Sequence, residues 1–219
     1  LNWNLHAVPV AGSEAVIGSG SVLLTNATEG LGAFVMTGGT LTFNGWETSL
    51  LAENVIVSNG NLTHALNTDP AAPWEPNARV YIRCTNMTLH AAATINVLGK
   101  GFRGGVTGSL AGKGPGGGGS AQHGGGYGGR GGHYHWGTYS LANVGLAYGE
   151  PMWPDLPGSG GGGSAGFAGG GAIRIEAADL LTLNGTINAD SSARQNYLYQ
   201  GGGSGGGVTL VCRRLAGIV

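Results

Sequence analysis

The chain has 219 residues, a net charge of -1 and 10 % charged residues, well below the roughly 25 % usual in soluble domains. With no basic excess it lacks the patches that nucleic acid or an anionic membrane surface requires, and no apolar run approaches the roughly 18 residues of a spanning helix. Glycine contributes 47 residues, so Thr, Ser, Asn and the backbone itself must supply most of the polar surface.

The N-terminal part reads as short strands. Ala15-Val-Ile, Ser21-Val-Leu-Leu-Thr, Ala33-Phe-Val-Met, Thr40-Leu-Thr-Phe and Asn54-Val-Ile-Val are rich in β-branched residues and bounded by Gly, Asn or Ser, as strands between turns are. Helical periodicity is nearly absent, and its longest candidate, Ser49 to Asn54, is too short to stand alone. The sequence opens at Leu1 without a Met or a basic-then-apolar stretch, and the closing Leu-Ala-Gly-Ile-Val looks like the start of another strand. We therefore expect a piece of a longer chain.

From Arg79 onward a repeat emerges. Val80-Tyr-Ile-Arg-Cys-Thr-Asn-Met-Thr-Leu leads to Thr94-Ile-Asn96 and then to glycine-rich sequence. Ile173-Arg-Ile-Glu-Ala-Ala-Asp-Leu-Leu-Thr-Leu leads to Thr186-Ile-Asn188 and again to glycine, and Val208-Thr-Leu-Val-Cys begins a third copy. Gly39-Thr-Leu-Thr-Phe and Gly60-Asn-Leu-Thr-His are worn versions of the same unit. A unit that cannot bury its own apolar face must stack on its neighbours. With strands, the economical result is an all-β solenoid, a right-handed parallel β-helix with long glycine-rich insertions. Residues 1–38 then supply N-terminal strands as first coils or a cap, and residues 39–219 the repeats, with glycine-rich excursions at 99–171 and 201–207.

The alignment makes local predictions. It places Cys84, Ala177 and Cys212 at one repeat position, too far apart for the Cα separation a disulfide needs, so two buried free thiols are expected. Glu176 falls beside Arg83 and Val211 as a surface pair, and Asp179 beside Asn86 as a turn former. The Asn of each Thr-Ile-Asn should sit at a corner and bond backbone. Gly114 to Gly137 should be ordered, as extended glycine strands joined by main-chain hydrogen bonds.

The blocks Asn61-Leu-Thr-His64, Arg79 to Leu89, Ile95-Asn-Val-Leu-Gly-Lys-Gly-Phe102, Gly114-Pro-Gly-Gly-Gly-Gly119, Gly124 to Gly132, Pro157 to Gly162, Gly169 to Ala177 and Gly201 to Val208 together resemble the glycine-rich β-helix repeats of very large secreted or surface proteins, mostly bacterial. The resemblance covers about residues 39–219 and implies a right-handed parallel β-helix in an extracellular, multi-repeat protein. It brings no catalytic signature.

For chemistry, the residues themselves offer little. Gly108-Ser-Leu-Ala-Gly-Lys113-Gly lacks the spacing of a phosphate-binding loop. His123, His133 and His135 are close in sequence, but no Cys is near and the only close carboxylates are Glu150 and Asp155, so polar loop histidines bonded to backbone explain them better than a metal does. The 11 acids are scattered, without the clustered carboxylates of polysaccharide cleavage, and the Thr spacing is too irregular for an ice- or crystal-binding array. Tyr127, Tyr134, Trp136, Tyr139 and Trp153 form the candidate binding set, with Tyr148 nearby, as sugar platforms or as anchors that bury against the helix. Asn26, Asn61, Asn86 and Asn184 stand in Asn-X-Thr sequons, candidate glycosylation sites where the source modifies them. The expected function is a structural or adhesive module of an extended extracellular or cell-surface protein that forms filaments or stalks. It is not an enzyme, and it needs no cofactor and no metal. Its partners are other copies or further repeats of the parent, and polysaccharide. The alternative is a carbohydrate-binding or polysaccharide-degrading β-helix.

Overall fold

The computed structural model describes residues 8–68, 71–133, 143–192 and 200–217. Among them are nine strands and no helix: β1 (Glu14–Ile17), β2 (Ser21–Leu24), β3 (Leu31–Met36), β4 (Thr40–Phe43), β5 (Leu50–His64), β6 (Val80–Asn96), β7 (Ile173–Leu183), β8 (Thr186–Asn188) and β9 (Val208–Ala216). Every strand pairing is parallel. One path runs β1-β3-β5-β6-β7-β9, and a second joins β2, β4 and the far half of β5, whose neighbour β6 then pairs with β8. The region from Ser49 to Asn54, the one faint helical signal, lies mostly in β5.

β5 and β6 are long because each contributes to both paths. Between the paths the chain turns a corner, and Gly20, Gly39 and Gly60 take φ of +79°, +84° and +105° there. A Cβ on Gly39 would meet the Gly20 carbonyl oxygen at 2.5 Å, and one on Gly60 would meet that of Gly39 at 2.8 Å. Stacked corners with positive φ leave no room for a side chain.

Alternation decides which side chains enter the core. In β6, Val80 and Ile82 are fully buried while Tyr81 and Arg83 face outward. Register then carries the pattern from rung to rung, as Ala15, Phe34, Val55, Met87, Leu181 and Leu215 pair in succession. Val22, Leu41, Leu62, Ile95 and Ile187 do the same in the second path. Each fully buried aliphatic side chain contributes about 1.5–3 kcal/mol, so the core is the sum of equal rungs.

The repeat alignment holds at Val80, Ile173 and Val208, which pair directly, and at Thr94–Thr186 to Asn96–Asn188. Asn96 and Asn188 accept hydrogen bonds from the backbone N–H two residues on, at 3.0 and 2.8 Å. Cys84 pairs with Ala177 and Ala177 with Cys212, and both thiols are free. Two expectations need correction. The cysteines are half-buried rather than buried, because a register shift follows Cys84 and Cys212 lies on the last rung. The same shift sets Asn86 opposite Leu180, so Asp179 does not align with Asn86; it binds Arg214 at 2.7 Å instead.

The glycine-rich residues between β6 and β7 make a second packing system. Gly158 to Gly163 are buried at its centre. The N–H groups of Gly158 and Gly161 donate to Gly170 and Phe167, and those of Gly160 and Gly163 to Lys113 and Leu110. The carbonyls of Gly158 and Gly161 accept from Phe102 and Gly105, and those of Ser159 and Gly162 from Ser204 and Gly201. Each neighbour is met again after three residues, not two. That is the period of a threefold extended chain, which has no internal hydrogen bonds and so offers all its groups sideways. Backbone packs on backbone here because the glycines carry no Cβ.

Candidate functional site

In a chain so poor in charge, the outward face of β6 and β7 is exceptional. Register sets Tyr81 beside Arg174 and Arg83 beside Glu176. Arg174 grips Glu176 with Nη2 and Nε at 2.6 and 2.7 Å, Arg83 approaches Glu176 at 3.4 Å, and the Tyr81 hydroxyl donates to it at 3.2 Å. Arg79, just before β6, lies 4.4 Å from the Trp46 ring centroid and 4.5 Å from that of Tyr81, while Arg174 lies 5.6 Å from Tyr81 on another approach. Arg79 Nε donates to the Trp46 carbonyl at 2.9 Å, and its Nη2 pairs with exposed Glu47 at 3.5 Å. Burial lowers the Arg79 pKa, and burial followed by Glu176 raises that of Tyr81.

The strip is completed by Asp155, 3.7 Å from Arg174. Its loop, residues 149–157, is pinned from beneath. Tyr127 and Tyr148 meet edge to face with ring centroids 5.0 Å apart. The Tyr127 hydroxyl accepts from Leu156 N–H at 3.2 Å, and the Tyr148 hydroxyl donates to the Pro157 carbonyl at 2.5 Å while accepting from Ser159 Oγ at 3.0 Å. Burial pushes both phenols up, Tyr148 strongly.

Of the aromatic set expected from sequence, Tyr127 thus lies half-buried within this support, and Trp153 is 53 % exposed at the tip of the loop. Tyr134, Trp136 and Tyr139 lie outside the described residues, as does His135. His123 is buried with its ring centroid 5.1 Å from that of His133, and burial, then His133, lowers its pKa. Among the described residues no three His, Cys, Asp or Glu lie close enough together to hold a metal ion. Asn61 accepts from Thr94 Oγ1 at 3.0 Å and Asn86 donates to Asn54 at 3.1 Å, so these two sequon side chains are rungs of polar ladders. Asn26 is exposed, and the Asn184 N–H donates to Leu89.

The strip contains three guanidinium groups and three carboxylates in contact. Glu176 and Asp155 are each held by Arg174, an arrangement that suits orientation and recognition of hydroxyls better than proton transfer. The Cys84 thiol is pushed up to about 11 by burial, the opposite of what a nucleophile needs. Sequence reasoning found the Arg83–Glu176 pair and missed Trp46, Arg79, Tyr81 and Arg174. The same alignment placed Tyr81 beside Arg174, and reading its outward residues as a set would have exposed the strip. Comparison with protein-family models, with curated proteins and with solved structures finds no significant match.

Proposed function

We propose that the chain is a structural and adhesive module of an extended extracellular or cell-surface protein, built as a right-handed parallel β-helix with glycine-rich insertions and related to the glycine-rich repeats it resembles. The observation that carries this reading is the continuous ladder β1-β3-β5-β6-β7-β9, parallel throughout. Parallel neighbours require crossovers, and crossovers are right-handed in about 98 % of cases. Here they pass through the second ladder around one core, which favours a coil over an open sheet. A coil gains stability with each rung added and suits a stalk or fibre that bears load and presents a surface, with further repeats or other copies as partners.

A second reading, carbohydrate binding, is favoured by exposed Trp153 beside the charged strip, since an aromatic face next to paired polar groups suits a sugar ring. One experiment separates the readings. The purified chain is incubated with a panel of acidic and neutral polysaccharides, product release is measured, and resistance to thermolysin is followed in parallel. The structural module releases no product and survives as an intact band. Release of new reducing or unsaturated ends overturns it. Glycan binding lost in Trp153→Ala, with thermal stability unchanged, moves the assignment to the second reading.

A further inference from the structure

Two copies of one dipeptide occupy the same corner of the ladder and are held differently. Asn59–Gly60 lies within β5, and Asn184–Gly185 joins β7 to β8. Asn59 pairs with Ala92 and Gly60 with Ala93, while the next residue, Thr94, pairs with Thr186. Gly60 and Gly185 therefore stand at one ladder position, on either side of Ala93. A third pair, Asn44–Gly45, follows β4 and lies outside this comparison.

At the later corner the N–H groups of Asn184 and Gly185 both donate to the Leu89 carbonyl, at 2.8 and 3.1 Å. A Cβ on Gly185 would meet the Ala93 and His90 carbonyl oxygens at 2.4 and 2.6 Å. The Gly185 nitrogen is thus fixed against the neighbouring rung. At the earlier corner the Gly60 N–H donates instead to the Oδ1 of Asn59, at 2.7 Å. The carboxamide carbon lies one bond, about 1.2 Å, from that oxygen, so small rotations of the Asn59 side chain bring main-chain nitrogen against side-chain carbon. Asn59 is exposed, Gly60 has φ of +105°, and the register shifts between Val57 and Asn59. The local backbone is therefore less constrained than in a regular ladder, and water reaches the site.

We propose that Asn59 is a site of spontaneous modification, in which Gly60 closes on it to a succinimide that opens to aspartate or isoaspartate. Hydroxide takes the Gly60 N–H proton, and the nitrogen forms a bond to the Asn59 carboxamide carbon. The carboxamide nitrogen then leaves as ammonia, taking a proton from water. Water adds next to one of the two imide carbonyls. Cleavage at the side-chain carbon gives aspartate at position 59, and cleavage at the main-chain carbon gives isoaspartate. The isoaspartate product lengthens the main chain at a corner where a Cβ on Gly60 would already meet the Gly39 carbonyl oxygen at 2.8 Å. The site is a slow clock written into the coil, independent of what the module binds.

The test follows the folded chain at mildly alkaline pH over days. Samples are digested, the peptides carrying Asn59 and Asn184 are separated and weighed, and isoaspartate is quantified by enzymatic methylation. In the folded chain position 59 should convert about tenfold or more faster than position 184, because only there are the reacting atoms positioned, and the rate should rise with pH. In urea the two rates should converge, since the dipeptide is the same. Asn59→Gln, whose longer side chain cannot close the same ring, should leave its peptide unconverted. Equal rates in the folded chain, or conversion of the Asn59→Gln peptide, would overturn the proposal. So would the same excess at position 59 in urea, which would assign the difference to flanking sequence rather than to the fold.

Discussion

At the scale of single residues, His64 shows how the core treats a titratable group. It follows Phe43 in the ladder, is fully buried, and its Nε2 accepts from Ala172 N–H at 3.2 Å while Nδ1 donates to the Ala65 carbonyl at 2.6 Å. Burial, with Lys100 adding to it, lowers its pKa from 6.5 to about 4. The neutral ring therefore stabilises the fold fully above pH 6.5, and that contribution is lost as pH falls from 6.5 towards 4, amounting to about 3 kcal/mol. Melting temperature against pH should fall through that window in wild type and fall less steeply in His64→Gln; equal slopes would show that another group titrates. Glycine offers a matched pair. A Cβ on Gly162 would lie 1.7 Å from the Gly119 carbonyl oxygen, whereas one on Gly128 meets nothing within 4 Å. Gly162→Ala should cost about 3 kcal/mol or more, and Gly128→Ala should change stability by less than about 1 kcal/mol, both measured by urea unfolding.

At the scale of elements, alternation and repetition were legible. Val80, Ile173 and Val208 announce their stacking because each starts the same in-out pattern, and Asn96 and Asn188 announce their corners. The register shift was not legible, since the extra residue of β7 between Ala177 and Leu180, set against the single Thr85 between Cys84 and Asn86, leaves the composition of the strand unchanged; it took Asp179 out of line with Asn86. Nor could the strip be read as a motif, because Trp46, Arg79, Asp155 and Arg174 come from four separate stretches. Its keystone is Arg79, 6 % exposed between two rings. Arg79→Lys keeps the charge but loses the planar stacking and the geometry of the Nε bond to Trp46. We expect a loss of about 1–2 kcal/mol in denaturant unfolding. A neutral outcome would mean that the strip merely decorates the sheet.

At the scale of the molecule, two packing systems share one chain. The ladder depends on side chains at a period of two, and the glycine bundle depends on main-chain bonds at a period of three. They are tied together because the neighbours of Gly158 to Gly163 come from both sides of β7 and β8. Phe102, Gly105, Leu110 and Lys113 precede β7, whereas Gly201 and Ser204 follow β8. The central segment can be fully bonded only when β7 and β8 are already seated on β6. Opening the bundle therefore also strips partners from the chain that leads into β9, where Gly207 N–H donates to Leu156 and Ile173 N–H donates to Gly207. This argues for a single cooperative unit despite the lack of an apolar core at the centre of the bundle. Amide exchange measures it directly: the N–H groups of Gly158 to Gly163 should exchange as slowly as those of Ile82 or Met87 within β6, at the rate of global unfolding. Exchange of the glycine segment orders of magnitude faster than β6 would show that the bundle opens while the ladder stays closed, and that the main-chain bonds order the glycines without joining them to the stack.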